Sequence, residues 1–201
     1  MGLLEAIGNL HIINVVLCAL IGVVFTLWFI PRILVVSFKK KLFDFADERK
    51  VHTGVVPRLG GVAFVPSILV SVSLMAGISS LVLPGDANVF VVPTLQMAFG
   101  LCSLILLYFE GIMDDLVGLR YRVKFVIQIL CALLIVASGI WLNDFHGLFG
   151  LAGLSPWFGV PFSVLLVVFI INAINLIDGI DGLASGLSIV SAFFFGIMFC
   201  Y

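Results

Sequence analysis

The run Asn172-Ala-Ile-Asn175-Leu-Ile-Asp178-Gly-Ile-Asp181-Gly-Leu183 sets two amides and two carboxylates at the end of a wholly apolar segment. Polar groups are costly in hydrocarbon, so a membrane chain keeps them for a task. The three-residue spacing puts Asn172 and Asn175 on neighbouring positions of one helical face, and Gly179 and Gly182 predict a break just beyond. Amide oxygens are neutral ligands for a hard cation. Asp178 and Asp181 can supply charge or accept hydrogen bonds from a nucleotide base or ribose. The plainer alternative is a helix C-terminus whose side chains only satisfy backbone groups, but four polar residues and two glycines exceed what that requires.

A second acidic island, Asp114-Asp115, follows another apolar run. Adjacent helix positions diverge by about 100 degrees, so both carboxylates can border one cavity without doing the same job. One can hold or approach Mg²⁺ while the other orients, or takes a proton from, an attacking phosphate. The competing reading is a solvated loop balanced by Arg120, Arg122 and Lys124. Glu110, one turn earlier, either joins this site or faces its mouth. A basic stretch, Asp47-Glu48-Arg49-Lys50-Val51-His52 with Pro57-Arg58-Leu59-Gly60-Gly61, carries cations suited to phosphate. Arg58 can bind phosphate bidentately and Lys50 acts as a point charge; otherwise the stretch is a basic anchor attracting anionic lipid. His52 is either a base or a solvated loop side chain. Lys124 either snorkels to the interface or grips a lipid phosphate. Together the islands suggest one metal and phosphate site.

The elements that must position these groups are membrane helices. The chain is 63% hydrophobic and 10% charged, far from a soluble domain, in which about a quarter of residues carry charge. Six stretches reach the ~17–25 residues that cross a bilayer as helix: approximately Ile12–Val36, Val62–Leu83, Val91–Met113, Lys124–Leu142, Val160–Ile177 and Leu183–Tyr201. Barrel strands are shorter and alternate polar with apolar positions, so the expected fold is an all-α polytopic transmembrane bundle. It forms a single integral-membrane domain over residues 1–201. Cys18, Cys102, Cys131 and Cys200 fall within spans without metal-ligand spacing and read as small buried hydrophobes.

Every Lys and Arg lies at or between spans one and two or between spans three and four, and such loops tend to stay in the cytoplasm. The amino terminus is therefore expected outside, with cytoplasmic loops at about 37–61, 114–123 and 178–182. The N-terminal tail lacks a basic n-region, so the first span reads as retained. All three polar islands then share the cytoplasmic face, implying a soluble cytoplasmic substrate. The aromatic connection Asn143–Gly159 reads as an outer turn at the interface, with no chemistry assigned.

Asp114-Asp115, the Asn172 to Leu183 run, and Arg49-Lys50-x-His52 with Pro57-Arg-x-Gly-Gly61 together resemble the polyprenyl-phosphate N-acetylhexosamine-1-phosphate transferases, from about Asp47 to Leu187. Members start lipopolysaccharide O-antigen, enterobacterial common antigen and teichoic acid linkage synthesis. Val56-Pro57-Arg58-Leu59-Gly60-Gly61 stands where the muramyl-pentapeptide branch has Thr-Pro-Thr-Met-Gly-Gly, which points to the hexosamine branch. Some members carry a third aspartate where this chain has Gly118.

The resemblance implies transfer of a sugar 1-phosphate from a UDP-N-acetylhexosamine to undecaprenyl phosphate in the bacterial inner membrane. The reaction releases UMP and uses Mg²⁺, or Mn²⁺ in its place. By carry-over, Asn175 is the metal ligand and Asp114 or Asp115 orients or deprotonates the lipid phosphate. Asp181 lies near the nucleotide, Lys124 near phosphate, and Lys50, His52, Arg58, Asn172 and Asp178 bind substrate. No nucleic acid partner is expected, and a homodimer is compatible. Family members have nearly twice as many spans, with a further Asp and a His-rich loop completing the site. The chain is therefore expected to be truncated relative to the family and inactive alone. A non-catalytic lipid-binding or assembly fragment and a cation transporter are the competing readings. The transporter is disfavoured because every strong polar cluster falls at one face.

Overall fold

In hydrocarbon a backbone's amides and carbonyls have only each other as partners, and an uncharged run of Leu, Ile, Val and Phe therefore closes on itself as helix. The computed structural model describes residues 2–44, 56, 57, 59–82, 94–147, 153–178, 180 and 182–200. It contains helices α1 (Gly2–Lys40), α2 (Phe64–Val82), α3 (Leu95–Val117), α4 (Tyr121–Ala137), α5 (Pro156–Ile177) and α6 (Leu183–Cys200). Two-residue strands β1 (Phe43–Asp44) and β2 (Val56–Pro57) pair, and a 3-10 turn over Gly60–Ala63 leads into α2. Four segments, Ile12–Lys40, Gly60–Ser79, Leu95–Val117 and Pro156–Ile177, are long and apolar enough to cross a membrane. The polytopic all-α membrane fold is thus as expected.

Several boundaries differ from the sequence reading. The α4 helix stops at Ala137, short of Leu142, because Gly139 takes a φ of 90° and the Ser138 N–H bonds back to Leu134 and Ile135. The loop expected over 114–123 shrinks to residues 118–120. The Asp pair does not end α3; the helix runs on to Gly118, whose φ of 71° lets its N–H close on the Asp114 carbonyl at 2.9 Å. Residues 37–40 are likewise helical. Between Pro57 and Gly60-Gly61, just before α2, Leu59 takes the left-handed conformation at a φ of 75°. The glycines pass directly into the 3-10 turn.

The chain divides into two compact units. The first holds α1, α2 and α3. On α1, Cys18, Gly22 and Thr26 recur every fourth residue and meet Ser67 and Ser71 of the antiparallel α2. Small residues let membrane helices approach closely. Ser67 gives its proton to the Ala63 carbonyl at 2.6 Å, so Thr26 must be the donor in the 2.8 Å Thr26–Ser67 contact. Tyr108 of α3 donates to the Val62 carbonyl at 3.3 Å, tying α3 to the start of α2.

The second unit holds α4, α5 and α6, and its α4–α5 pair is pinned near the loop by a glycine. A Cβ on Gly159 would lie 2.6 Å from both the Leu142 carbonyl oxygen and the Trp141 ring, so only glycine admits this approach. Ser163 then accepts from the Leu142 N–H at 2.8 Å and donates to the Gly159 carbonyl at 2.7 Å. In the connection, Asp144 accepts from the His146 and Gly153 amides at 2.8 and 3.0 Å. The Gly153 bond first, then that of His146, holds the Asp144 carboxyl below its ordinary range. Of the cysteines, Cys131 is buried as expected, but Cys18 is half-buried and Cys102 exposed on α3, so burial is not what they share.

Candidate functional site

The acidic islands share one geometry: each stands at a helix C-terminus. Asp114 and Asp115 occupy the last turn of α3 and are half-buried, and Asp178 is the C-cap of α5, its N–H bonded to the Ile174 carbonyl at 3.1 Å. The negative end of the helix dipole disfavours carboxylates there by roughly 0.3–1 kcal/mol each. Carboxylates placed against the dipole invite a cation. Glu110, one turn before the pair, is buried at 8% exposure.

On α5 the expected amide spacing holds. Asn172 is half-buried, Asn175 and Asp178 are exposed, and the helix stops at Ile177. Two tight turns, Ile180 N–H to Ile177 and Leu183 N–H to Ile180, carry the chain into α6, so the predicted break is present. Lys124 lies in the first turn of α4, half-buried. Lys50, His52, Arg58 and Asp181 lie outside the described residues.

Within the second unit, the structure brings Asn172 to a residue the sequence reading passed over. The Asn172 Nδ2 donates to the Gln128 Oε1 at 2.6 Å and to the Val168 carbonyl at 2.8 Å. Gln128 is 4% exposed, and it is one turn from Lys124 on α4. The available signal was a lone amide four residues after Lys124 in an apolar helix. Since α4 and α5 run antiparallel, the turn bearing Lys124 and the turn bearing Asn175 lie toward the same end of the pair. Asp114 and Asp115 belong to the first unit.

No group of three or more His, Cys, Asp or Glu side chains able to hold a metal occurs among the described residues, so a zinc-type cage is not formed there. The donors present are hard oxygens: the amide oxygens of Asn172 and Asn175 and the carboxylate of Asp178. Both Asn172 amide hydrogens are committed to acceptors, which leaves its Oδ1 as the coordinating atom of that amide. Mg²⁺ is held by few protein oxygens and takes its remaining ligands from phosphate and water; this donor set fits it.

The sequence profile of glycosyl transferase family 4 matches residues 97–201. The chain is 31% identical over 181 residues to a Bacillus subtilis protein named as a probable undecaprenyl-phosphate N-acetylglucosaminyl 1-phosphate transferase, covering 90% of this chain and 47% of the relative. It is 32% identical over 174 residues to the undecaprenyl-phosphate alpha-N-acetylglucosaminyl 1-phosphate transferase of Salmonella typhi, covering 83% and 42%. It is also 29% identical over 194 residues to the phospho-N-acetylmuramoyl-pentapeptide-transferase of Staphylococcus carnosus, covering 90% and 58%. The chain thus spans about half the length of the relatives it matches. No solved structure matches it. With both acidic islands and the helix between them inside the matched segment, the chain belongs to glycosyl transferase family 4.

Proposed function

We propose that the protein transfers N-acetylhexosamine 1-phosphate from a UDP-sugar to undecaprenyl phosphate, releasing UMP, at the cytoplasmic face of a bacterial inner membrane. The observation that carries this reading is the likeness to relatives named for sugar-phosphate transfer to polyprenyl phosphate, with the matched family segment containing both acidic islands. The positive-inside distribution of Lys and Arg supports a cytoplasmic position for those islands, the side on which nucleotide sugars are dissolved.

In the reaction an oxygen of the lipid phosphate attacks the β-phosphorus of the UDP-sugar. A new P–O–P bond forms, the bond from β-phosphorus to the bridging oxygen breaks, and UMP leaves with that oxygen. Asp114 or Asp115 orients the lipid phosphate and takes its proton when it enters protonated. Lys124, at the bilayer edge of α4, pairs with phosphate, as do Lys50 and Arg58. His52 contributes to the same phosphate-binding stretch. Asn175 would hold the cation, the oxygen of Asn172 would serve the same ion or its bound substrate, and Asp178 and Asp181 would receive the nucleotide. Mg²⁺, or Mn²⁺ in its place, supplies charge neutralisation on the pyrophosphate when bound.

The test is UMP release from UDP-N-acetylglucosamine by the full-length polypeptide in detergent or liposomes. Release that depends on both undecaprenyl phosphate and Mg²⁺ supports the reading. Lipid binding without any turnover would instead favour a non-catalytic assembly role.

A further inference from the structure

We propose that Gln128 is a positioning residue that locks the Asn172 amide with its oxygen presented to the cation, an inference that rests on the transferase reading above. A carboxamide can turn over by half a rotation, exchanging its donor and acceptor ends. Here the exchange is blocked twice. The Val168 carbonyl can only accept, so the Asn172 nitrogen must face it, at 2.8 Å. Gln128 then has to present its own oxygen to the second amide hydrogen, at 2.6 Å. With both hydrogens engaged, Asn172 has only Oδ1 left to offer, one turn from Asn175 on the same stretch of helix.

Burial gives the lock its strength. Gln128 is more than nine-tenths buried in the part of α4, from Phe125 to Ala137, that is otherwise apolar, where a hydrogen bond meets little competition from water and an unmade one is costly. Without Gln128 only the Val168 bond still holds the amide, and any rotation that breaks that one bond turns a donor toward the cation, which repels it. Partners that orient metal ligands typically change metal affinity or activity 10–100-fold when removed. Gln128 itself touches neither metal nor substrate in this scheme; it acts through Asn172.

The experiment compares the parent full-length polypeptide with Gln128→Met and Gln128→Glu by Mn²⁺ binding in electron paramagnetic resonance, without substrate, alongside melting temperature and UMP release. Gln128→Met keeps the volume and loses the acceptor; it should weaken Mn²⁺ binding about 10- to 100-fold with little change in melting temperature. Gln128→Glu, which keeps an acceptor oxygen, should bind nearly as the parent does. Should Gln128→Met not fold, Gln128→Asn, polar but one methylene short, takes its place with the same expectation. Parent-like Mn²⁺ affinity without the acceptor would overturn the proposal, as would equal losses in both variants that track a fall in melting temperature. A parent that binds Mn²⁺ but releases no UMP would sink the transferase reading, leaving the lock to be judged by Mn²⁺ affinity. A parent that binds no Mn²⁺ overturns the lock.

Discussion

The α1–α2 and α4–α5 pairs are both antiparallel and both depend on small and polar residues, yet they spend those residues differently. In α1–α2 the hydroxyls at the helix contact, those of Thr26, Ser67 and Ser71, bond locally. Ser67 and Ser71 donate to carbonyls of their own helix, at Ala63 and Ile68, and Thr26 completes the set. Gly22 faces Ser71 at an ordinary 3.8 Å contact distance. Among the described residues the buried Ser79 hydroxyl of α2 is left without a hydrogen-bond partner, but α2 presents no amide or carboxylate, and the pair reads as packing. In α4–α5 a glycine under real steric compulsion and a serine relay pin one end, while an amide pair toward the other leaves an oxygen and a chain of Asn and Asp side chains outstanding. The lesson is that the kind of polar group separates the two pairs: short hydroxyls bond locally and let α1 and α2 approach, whereas the amides and carboxylate of α4–α5 are groups a cation or phosphate chemistry can use.

The comparison is broken most severely at the outstanding groups. Asn175→Ala and Asp115→Asn should each lower UMP release by about 10²-fold or more, the scale on which single groups aimed at developing charge act, with melting temperature near the parent's. Full activity in both variants would remove the residue assignments. The second largest effect should be Gly159→Ala. Its Cβ would stand 2.6 Å from the Leu142 oxygen, and overpacking of this kind costs about 1–3 kcal/mol, read as a lower melting temperature of the α4–α5 unit. Gly22→Ala is the matched control, since its Cβ meets only ordinary contacts and should leave stability within about 0.5 kcal/mol.

A smaller loss is expected from Thr26→Val, about 0.6 kcal/mol for one interhelical hydrogen bond in a membrane, with turnover unchanged. A loss of turnover there would make α1–α2 more than packing. The smallest effect is a pH dependence of the α4–α5 loop. The folded Asp144 carboxyl is held below its ordinary pKa by the Gly153 and His146 amides. Its contribution to stability is therefore present above the unfolded pKa of about 3.9 and is lost as pH falls through the lower folded value. Fluorescence of Trp141 and Trp157 should report loosening of the loop on acidification, and Asp144→Ala should remove that transition.

Six helices, their order, and the break after Asp178 were legible because apolar runs bounded by glycine and charge are local signals. Boundaries were less so. Asp114-Asp115 looked like a loop because charge usually ends a span, whereas the first residue able to adopt positive φ was Gly118. Before α2 the left-handed residue is Leu59 and not a glycine, because dihedrals answer to the element that follows as well as to the residue. The basic stretch with Lys50, His52 and Arg58 lies outside the described residues.

The sequence by itself determined the membrane class, the family resemblance and the chemical inventory of Asn, Asp and basic side chains, because composition and motif spacing are properties of contiguous chain. Only the tertiary structure decided that Gln128 meets Asn172, that Gly159 must be glycine, and that the Thr26 hydroxyl of α1 meets Ser67 of α2. These partners are separated by 44 residues for Gln128 and Asn172 and by 41 for Thr26 and Ser67. Contacts at that separation are set by which helix faces pack together, which no local pattern encodes.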